Sequence, residues 1–448
     1  MPLLAWPAFL WMVVVGAGTP AGSADRLAAL RLRRSPVVEV FERTKDAVVS
    51  IACTRVVERP VRLADPFEPF FHLPFDAPYP KREVQTVGSG FVLDSRGYVV
   101  TNAHVVRQTI DQKVIFKGDR RLDARPVAVL DKADLAILKV DADEPLPELP
   151  LGRSDDLMIG ETVLAIGNPF GYDHTLTTGV ISALDRRLDF PNGVTYTGLI
   201  QTDASINPGN SGGPLLNILG ELIGINTAIR GDAQNIGFAI PVNELRKAVP
   251  DMLSLEHLKR VKVGLRVESR SGIVVVEVEP DSPAHAAQIK PGDHVLSMNG
   301  RRLKHDVDFY ISLLDKRAGD TVTLVVERAG RSLTAALTLR AKPVPDGARL
   351  AQAKLGMRIQ TLPAELREQL ELEGGLLVVE VDPGGPADRA GIERGMIIVT
   401  IAGDYPRDLD HVGLLLENVR KGQDVTVGVW EIRGRMIHMY PLVTLKAR

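Results

Sequence analysis

A chain of 448 residues has room for about three domains, each able to bury its own core, which excludes disorder as the main state. It is 45% hydrophobic and 25% charged, and its 40 glycines and 30 prolines favour turn-rich strand structure over a helical bundle. A formal net charge of −2 leaves no surplus to drive binding to nucleic acid, and a single cysteine excludes both an intrachain disulfide and a Cys-rich zinc module.

From Pro2 to Ala24 no charge occurs, and the apolar run Leu3 to Val15 gives way to Gly16, Gly18, Pro20, Gly22 and Ser23. This pattern predicts an export signal over 1–24 with processing near Ala24, the alternative being an uncleaved anchor. Export without disulfides fits the bacterial periplasm. Between Ser35 and Pro250, short β-branched runs alternate with glycine turns, as in Gly88-Ser89-Gly90-Phe91-Val92-Leu93 followed by Asp94-Ser95-Arg96-Gly97. Such spacing predicts antiparallel barrels or sandwiches. Cys53, at the end of Val48-Val49-Ser50-Ile51-Ala52, reads as a buried strand thiol. Residues 60–80 mix six prolines with Phe67, Phe70, Phe71, Phe75 and Tyr79, a segment too proline-rich for regular structure and too aromatic for a solvated loop. It is expected to dock on its own domain or to act as a gating loop. Further on, Gly272-Ile273-Val274-Val275-Val276-Glu277-Val278-Glu279-Pro280 recurs as Gly375-Leu376-Leu377-Val378-Val379-Glu380-Val381-Asp382-Pro383. Each copy continues with a Pro-Ala helix start, a glycine turn and an amphipathic helix, expected at 307–314 and 412–419. The expected domains are 36–250, 258–342 and 354–446, with 343–353 as a linker.

Chemistry concentrates in the first of these. In Asn207-Pro208-Gly209-Asn210-Ser211-Gly212-Gly213-Pro214 a lone hydroxyl sits among glycines, whose backbone freedom lets successive N–H groups converge on the oxyanion of an attacked carbonyl. Ser211 is the candidate nucleophile, with the amides of Gly209 and Ser211 as donors. A serine needs a base and a group that fixes the base's tautomer. Of nine histidines, His104 has the most structured setting, in Thr101-Asn102-Ala103-His104-Val105-Val106. Asp134, directly before the apolar run Leu135-Ala136-Ile137-Leu138, is the orienting acid, with Asp131 as the alternative. The order His, Asp, Ser is that of chymotrypsin-type barrels. No His-Glu-x-x-His string and no Walker-type string occurs, so no metal, no cofactor and no ATP-driven step is expected.

Together with Ala165-Ile166-Gly167-Asn168-Pro169-Phe170-Gly171, Gln201-Thr202-Asp203-Ala204 and Gly237-Phe238-Ala239-Ile240-Pro241, these strings resemble the HtrA/Deg family of serine endoproteases. The repeat resembles two PDZ domains. The resemblance implies a mainly β fold, a chymotrypsin-like double β-barrel followed by two α+β PDZ domains. It also implies assembly as trimers or their multiples, and combined protease and chaperone roles on unfolded polypeptides. Uncharged Ser205, Ile206, Thr227, Ala228 and Ile229 are expected to form a shallow apolar pocket selecting Val, Ala or Ile. The resemblance further implies that segment 60–80 occludes the site at rest and that Arg186 or Arg187 links PDZ engagement to the oxyanion loop. Val263-Gly264-Leu265 and Leu355-Gly356-Met357 match PDZ loops that bind C-terminal or hydrophobic peptides. The second copy is expected either to bind peptide or to serve as an assembly contact. A proteolytically silent peptide-binding holdase is the alternative to an active endoprotease.

Overall fold

The computed structural model describes residues 31–57, 82–168, 174–189, 195–207, 209–229, 236–433 and 436–448. Segments 1–24 and 60–80, read above as an export signal and a docking or gating loop, lie outside the described residues. Among the described residues no helix is long and apolar enough to cross a membrane. The chain divides into two compact units, Met1–Arg340 and Ala341–Arg448.

In the first unit, Ser35 caps helix α1 (Pro36–Thr44), with proline in the first turn where its missing N–H costs nothing. Strands β1 (Val48–Val57), β2 (Arg82–Asp94), β3 (Tyr98–Thr101), β4 (Ile110–Phe116), β5 (Arg120–Leu130) and β6 (Leu135–Val140) close a barrel in the order β1-β2-β3-β6-β5-β4. Strands β7 (Thr162–Gly167), β8 (Thr175–Asp189), β9 (Thr195–Thr202), β10 (Pro214–Asn217), β11 (Leu222–Ile229) and β12 (Gly237–Pro241) close a second, in the order β10-β11-β12-β9-β8-β7.

Why these strands read as continuous apolar runs rather than alternating ones follows from where their two faces go. Ala136, Leu138 and Val140 of β6 fill the first barrel with Val49, Ile51, Cys53 and Val92. Their neighbours Leu135 and Ile137 point the other way, into a core shared with Leu164 and Ile166 of β7. The alternate residues Val163 and Ala165 fill the second barrel. Successive side chains of a strand face opposite sides, so a strand buried on both must be apolar throughout.

Helix α2 (Ala103–Val106) is a single buried turn after β3. Helix α3 (Val242–Met252) follows β12 and carries the shared core onward through Leu245, Val249 and Met252. The expected domain end at residue 250 therefore falls inside a helix, and the expected start of the next domain, 258, falls inside the short helix Leu255–Lys259. The first repeat copy forms a sheet of β14 (Leu265–Arg270), β15 (Gly272–Val278), β16 (His294–Met298), β18 (Thr321–Arg328) and β19 (Arg331–Thr338), in that order, with β14 at an edge. The two-residue strands β13 (Val261–Lys262), β17 (Arg301–Arg302) and β20 (Arg340–Ala341) complete the run. Its amphipathic helix is α4 (Asp306–Leu313).

The second unit repeats this plan with β21 (Met357–Thr361), β22 (Leu376–Val381), β23 (Ile397–Ile401), β24 (Asp424–Arg433) and β25 (Met436–Lys446) in sequence order, and α5 (Leu409–Glu417). Residues 343–353 are not a free linker. The chain is helical from Gly347, and Ala351 and Leu355 are fully buried in the core of this unit. Proline and glycine there start a helix rather than loosen the chain.

Candidate active site

His104 rides on α2, whose four residues are all buried, so its imidazole is fixed by packing at the edge of the first barrel. Asp134 follows a one-turn helix over Asp131–Ala133 and adopts the left-handed conformation (φ 51°), which aspartate tolerates better than most residues. That turn aims its carboxylate back at α2. His104 Nδ1 lies 2.8 Å from one carboxylate oxygen of Asp134 and 2.9 Å from the other, and the His104 backbone N–H donates to the same group at 3.0 Å. Asn102 donates to the Asp134 carbonyl at 3.0 Å, holding the acid's own backbone. Asp131, the alternative acid, is exposed and lies 3.9 Å from Arg107.

The nucleophile candidate arrives from the second barrel. Ser211 is buried, and its Oγ donates to the Thr227 carbonyl at 3.3 Å. The Thr227 hydroxyl in turn donates to Asp134 at 2.7 Å. One residue of β11 thus touches both the alcohol and the acid. The amides of Asn210, Gly212 and Gly213 are spent on the carbonyls of Asn207, Asn226 and Asn210, at 2.9, 2.8 and 2.9 Å. Those of Gly209 and Ser211 donate to no backbone carbonyl among the described residues. Gly209 (φ 104°) and Gly212 (φ 83°) adopt backbone angles that a side chain would strain. A Cβ on Gly212 would also meet the Ser89 carbonyl and the Thr101 hydroxyl at 2.3 Å.

Ser89 is the residue sequence reasoning passed over. Its Oγ donates to the Gly209 carbonyl and accepts from the Asn168 N–H at 2.8 Å, while its N–H donates to the Ser211 carbonyl at 2.8 Å and its carbonyl accepts from Thr101 at 2.7 Å. It is fully buried and ties the first barrel to the nucleophile loop of the second. A lone hydroxyl between Gly88 and Gly90 was the only signal available.

Other expected site residues are distributed differently. Ile206 packs in the core of the second barrel, and the Thr227 hydroxyl is committed to Asp134, so neither is a wall of an open pocket. Ser205 is exposed, its carbonyl accepting from Thr177 at 2.8 Å. Ala228 and Ile229 lie on β11, their side chains outside the described residues. Arg186 donates to Gln201 at 2.9 Å and Arg187 to Asp189 at 3.0 Å, so both are engaged within the β8–β9 hairpin. Gly264 (φ 75°) and Gly356 (φ 71°) turn the chain ahead of the edge strands β14 and β21, and Leu355 and Met357 are fully buried.

A buried carboxylate clamping an imidazole, with a serine on a glycine loop of a facing barrel, defines the trypsin-like serine proteases. The sequence comparisons agree. Residues 88–225 match the trypsin-like peptidase domain, and residues 254–339 and 377–431 each match a PDZ domain. A relative from Marinomonas sp. (strain MWYL1), described as a probable periplasmic serine endoprotease DegP-like, is 32% identical over 454 residues, covering 93% of this chain and 95% of its own. Relatives of the same description from Hahella chejuensis and Chlamydia trachomatis are 34% and 35% identical, covering 85% and 81% of this chain and 87% and 76% of their own. The chain belongs to the HtrA family, as a DegP-like serine endoprotease with two PDZ domains.

Proposed function

We propose that the protein hydrolyses loosened polypeptides in the periplasm through an acyl-enzyme on Ser211, with no nucleotide, metal or other cofactor. The observation that carries the reading is the two-oxygen grip of Asp134 on His104 Nδ1, at 2.8 and 2.9 Å. It commits Nδ1 as the protonated nitrogen and leaves Nε2 as the base. In the resting chain the Ser211 hydroxyl donates to Thr227. On substrate arrival it turns to His104 Nε2, which takes its proton as Oγ attacks the scissile carbonyl carbon. The oxyanion is held by the N–H groups of Gly209 and Ser211. The imidazolium, stabilised by Asp134, returns its proton to the leaving amine as the C–N bond breaks. Water, deprotonated by the same imidazole, then attacks the ester and frees Ser211 with the new carboxylate.

Ser205, Ala228 and Ile229, expected beside the nucleophile, bring no carboxylate to pair with a basic side chain, so the reading extends to cleavage after Val, Ala or Ile. Periplasmic location rests on the relatives' descriptions and on the N-terminal composition. The two PDZ modules capture C-terminal or hydrophobic peptide segments by strand addition. Assembly as trimers rests on the family resemblance. Ser211→Ala tests the proposal: cleavage of casein falls at least about 1000-fold, as expected when a triad member is removed. Cut sites of the unsubstituted protein should cluster after small aliphatic residues. Undiminished turnover by Ser211→Ala overturns the assignment, and cuts chiefly after Lys or Arg overturn the pocket. Aggregation suppression that survives the substitution adds a holding activity.

A further inference from the structure

Strand β14 is the edge of its sheet, the place where a PDZ module would add a peptide strand. Residues two apart on a strand present their backbone groups to the same side, and on β14 the outward-facing residues include Val267 and Ser269. Neither is open. The Tyr310 hydroxyl, from α4, lies 3.0 Å from both the N–H and the C=O of Val267, accepting from one and donating to the other. Asp306, at the start of the same helix, accepts the Ser269 N–H at 3.1 Å and the Ser269 hydroxyl at 2.8 Å, and its own N–H donates back to that hydroxyl at 3.0 Å. Two side chains of α4 thus occupy three outward backbone groups of β14, the N–H and C=O of Val267 and the N–H of Ser269, that an incoming strand would need. Tyr310 is seated edge-on against Phe309, with ring centroids 5.3 Å apart, and burial raises its hydroxyl pKa so that it stays a neutral donor and acceptor. The space left beside Val263, Gly264 and Leu265 is a cavity of about 210 Å³, below the usual range for ligand sites.

Asp306 has a second commitment. Arg246 on α3 donates to it at 3.0 Å, and the same guanidinium donates to the carbonyls of Leu151 at 3.4 Å and Gly152 at 3.1 Å. Both members of the pair are largely buried. Drawing α4 off β14 therefore pulls on a contact anchored in the protease domain.

We infer that the peptide groove of the first PDZ module is shut by its own helix, Tyr310 and Asp306 standing in for a peptide backbone, and that an extended peptide enters only by displacing them. This rests on the peptide-capture reading of the module above. Nothing in the sequence pattern pointed to this, because residues 307–314 read simply as an amphipathic helix.

The test uses the full chain carrying Ser211→Ala, with and without Tyr310→Phe, and a pooled library of fluorescein-labelled decapeptides with free C-terminal carboxylates. Hydrogen exchange followed by mass spectrometry reads segments 265–270 and 272–278. Phenylalanine keeps the ring and removes both hydrogen bonds, which sets the expected scale at about tenfold. Without peptide, 265–270 should exchange about tenfold faster in Tyr310→Phe while 272–278 is unchanged. With peptide, protection of 265–270 should need about tenfold less library in the variant. Equal titration of the two forms overturns the gate and leaves peptide capture standing. No peptide-dependent protection in either form overturns both. Should Tyr310→Phe speed exchange across 272–278 as well, the unsubstituted chain decides. Labelled with 3-fluorotyrosine, its Tyr310 fluorine resonance must shift as peptide saturates 265–270, and a resonance that stays put overturns the gate.

Discussion

Replacing Ser89 with alanine removes the hydroxyl that joins Asn168 to Gly209 and so tests whether the first barrel sets the nucleophile loop. Two buried groups lose their partner: the Asn168 N–H, 2.8 Å from the Ser89 oxygen, and the Gly209 carbonyl. Left unmatched in place, each would cost about 1–3 kcal/mol. Gly209 need not stay in place. At φ 104° and without a Cβ, it can rotate its carbonyl away at little steric cost. The cost then moves from stability to catalysis, because the Asn210 N–H turns with that carbonyl, its 2.9 Å bond to the Asn207 carbonyl breaks, and the loop carrying the Gly209 and Ser211 amides shifts off the oxyanion position. Losing one such donor lowers kcat by about 100- to 1000-fold, or about 2.7–4 kcal/mol. The assay is steady-state cleavage of a fluorogenic peptide with a small aliphatic residue at the cut, beside a thermal melt. The expected result is kcat down about 100-fold with KM changed by less than about threefold, the signature of an interaction made in the transition state. A kcat within about threefold of the parent would refute the reasoning, as would a change confined to KM.

Thr227→Val keeps the shape of the side chain and removes its 2.7 Å hydrogen bond to the Asp134 carboxylate. A bond to a charged group is worth about 1.5–3 kcal/mol, so kcat/KM should fall about 10- to 150-fold, and Thr227→Ser should restore most of it. Parental activity in the valine variant would exclude Thr227 as a support of the acid. Acid sensitivity has a definite sign. Burial works against ionisation of Asp94 and Asp293, yet the hydrogen bonds and charges of Arg96 and Arg328 outweigh it and hold both carboxyls below their ordinary range. A depressed folded-state pKa adds stability above the unfolded value of about 3.9 and loses it as pH falls through the folded one. Melting of the first unit should therefore be level from about pH 7 to 5 and decline below about pH 4, with a shallower decline in Asp293→Asn. An equal slope in that variant would remove Asp293 from the account.

What could be read from sequence divides along physical lines. His104, Asp134 and Ser211 stand in local strings whose residue types are dictated by their chemistry, and the barrels by strands whose two-sided burial leaves continuous apolar runs. Contacts between distant segments leave no such trace. Ser89 is 79 residues from Asn168, and nothing in Gly88-Ser89-Gly90 says which loop its hydroxyl will meet. Thr227 was placed in the pocket because its string is uncharged, whereas burial and a carboxylate partner turned it inward. Ile206 followed the second barrel's core for the same reason: an apolar residue near a nucleophile is as useful to packing as to substrate. Pro343 and Gly347 carry loop signals, and only the cover that α5 and the surrounding core give to Ala351 and Leu355 makes that stretch helical.

The seam between the barrels has a further effect during biogenesis. Leu135 and Ile137 on one side, and Leu164 and Ile166 on the other, have no dry environment until the halves meet. The imidazole and carboxylate of the proposed triad, His104 and Asp134, belong to the earlier-emerging half and the Ser211 alcohol to the later one. A chain still being synthesised thus carries these groups on separate, unmated pieces, and hydrolytic power is withheld from it until folding is complete.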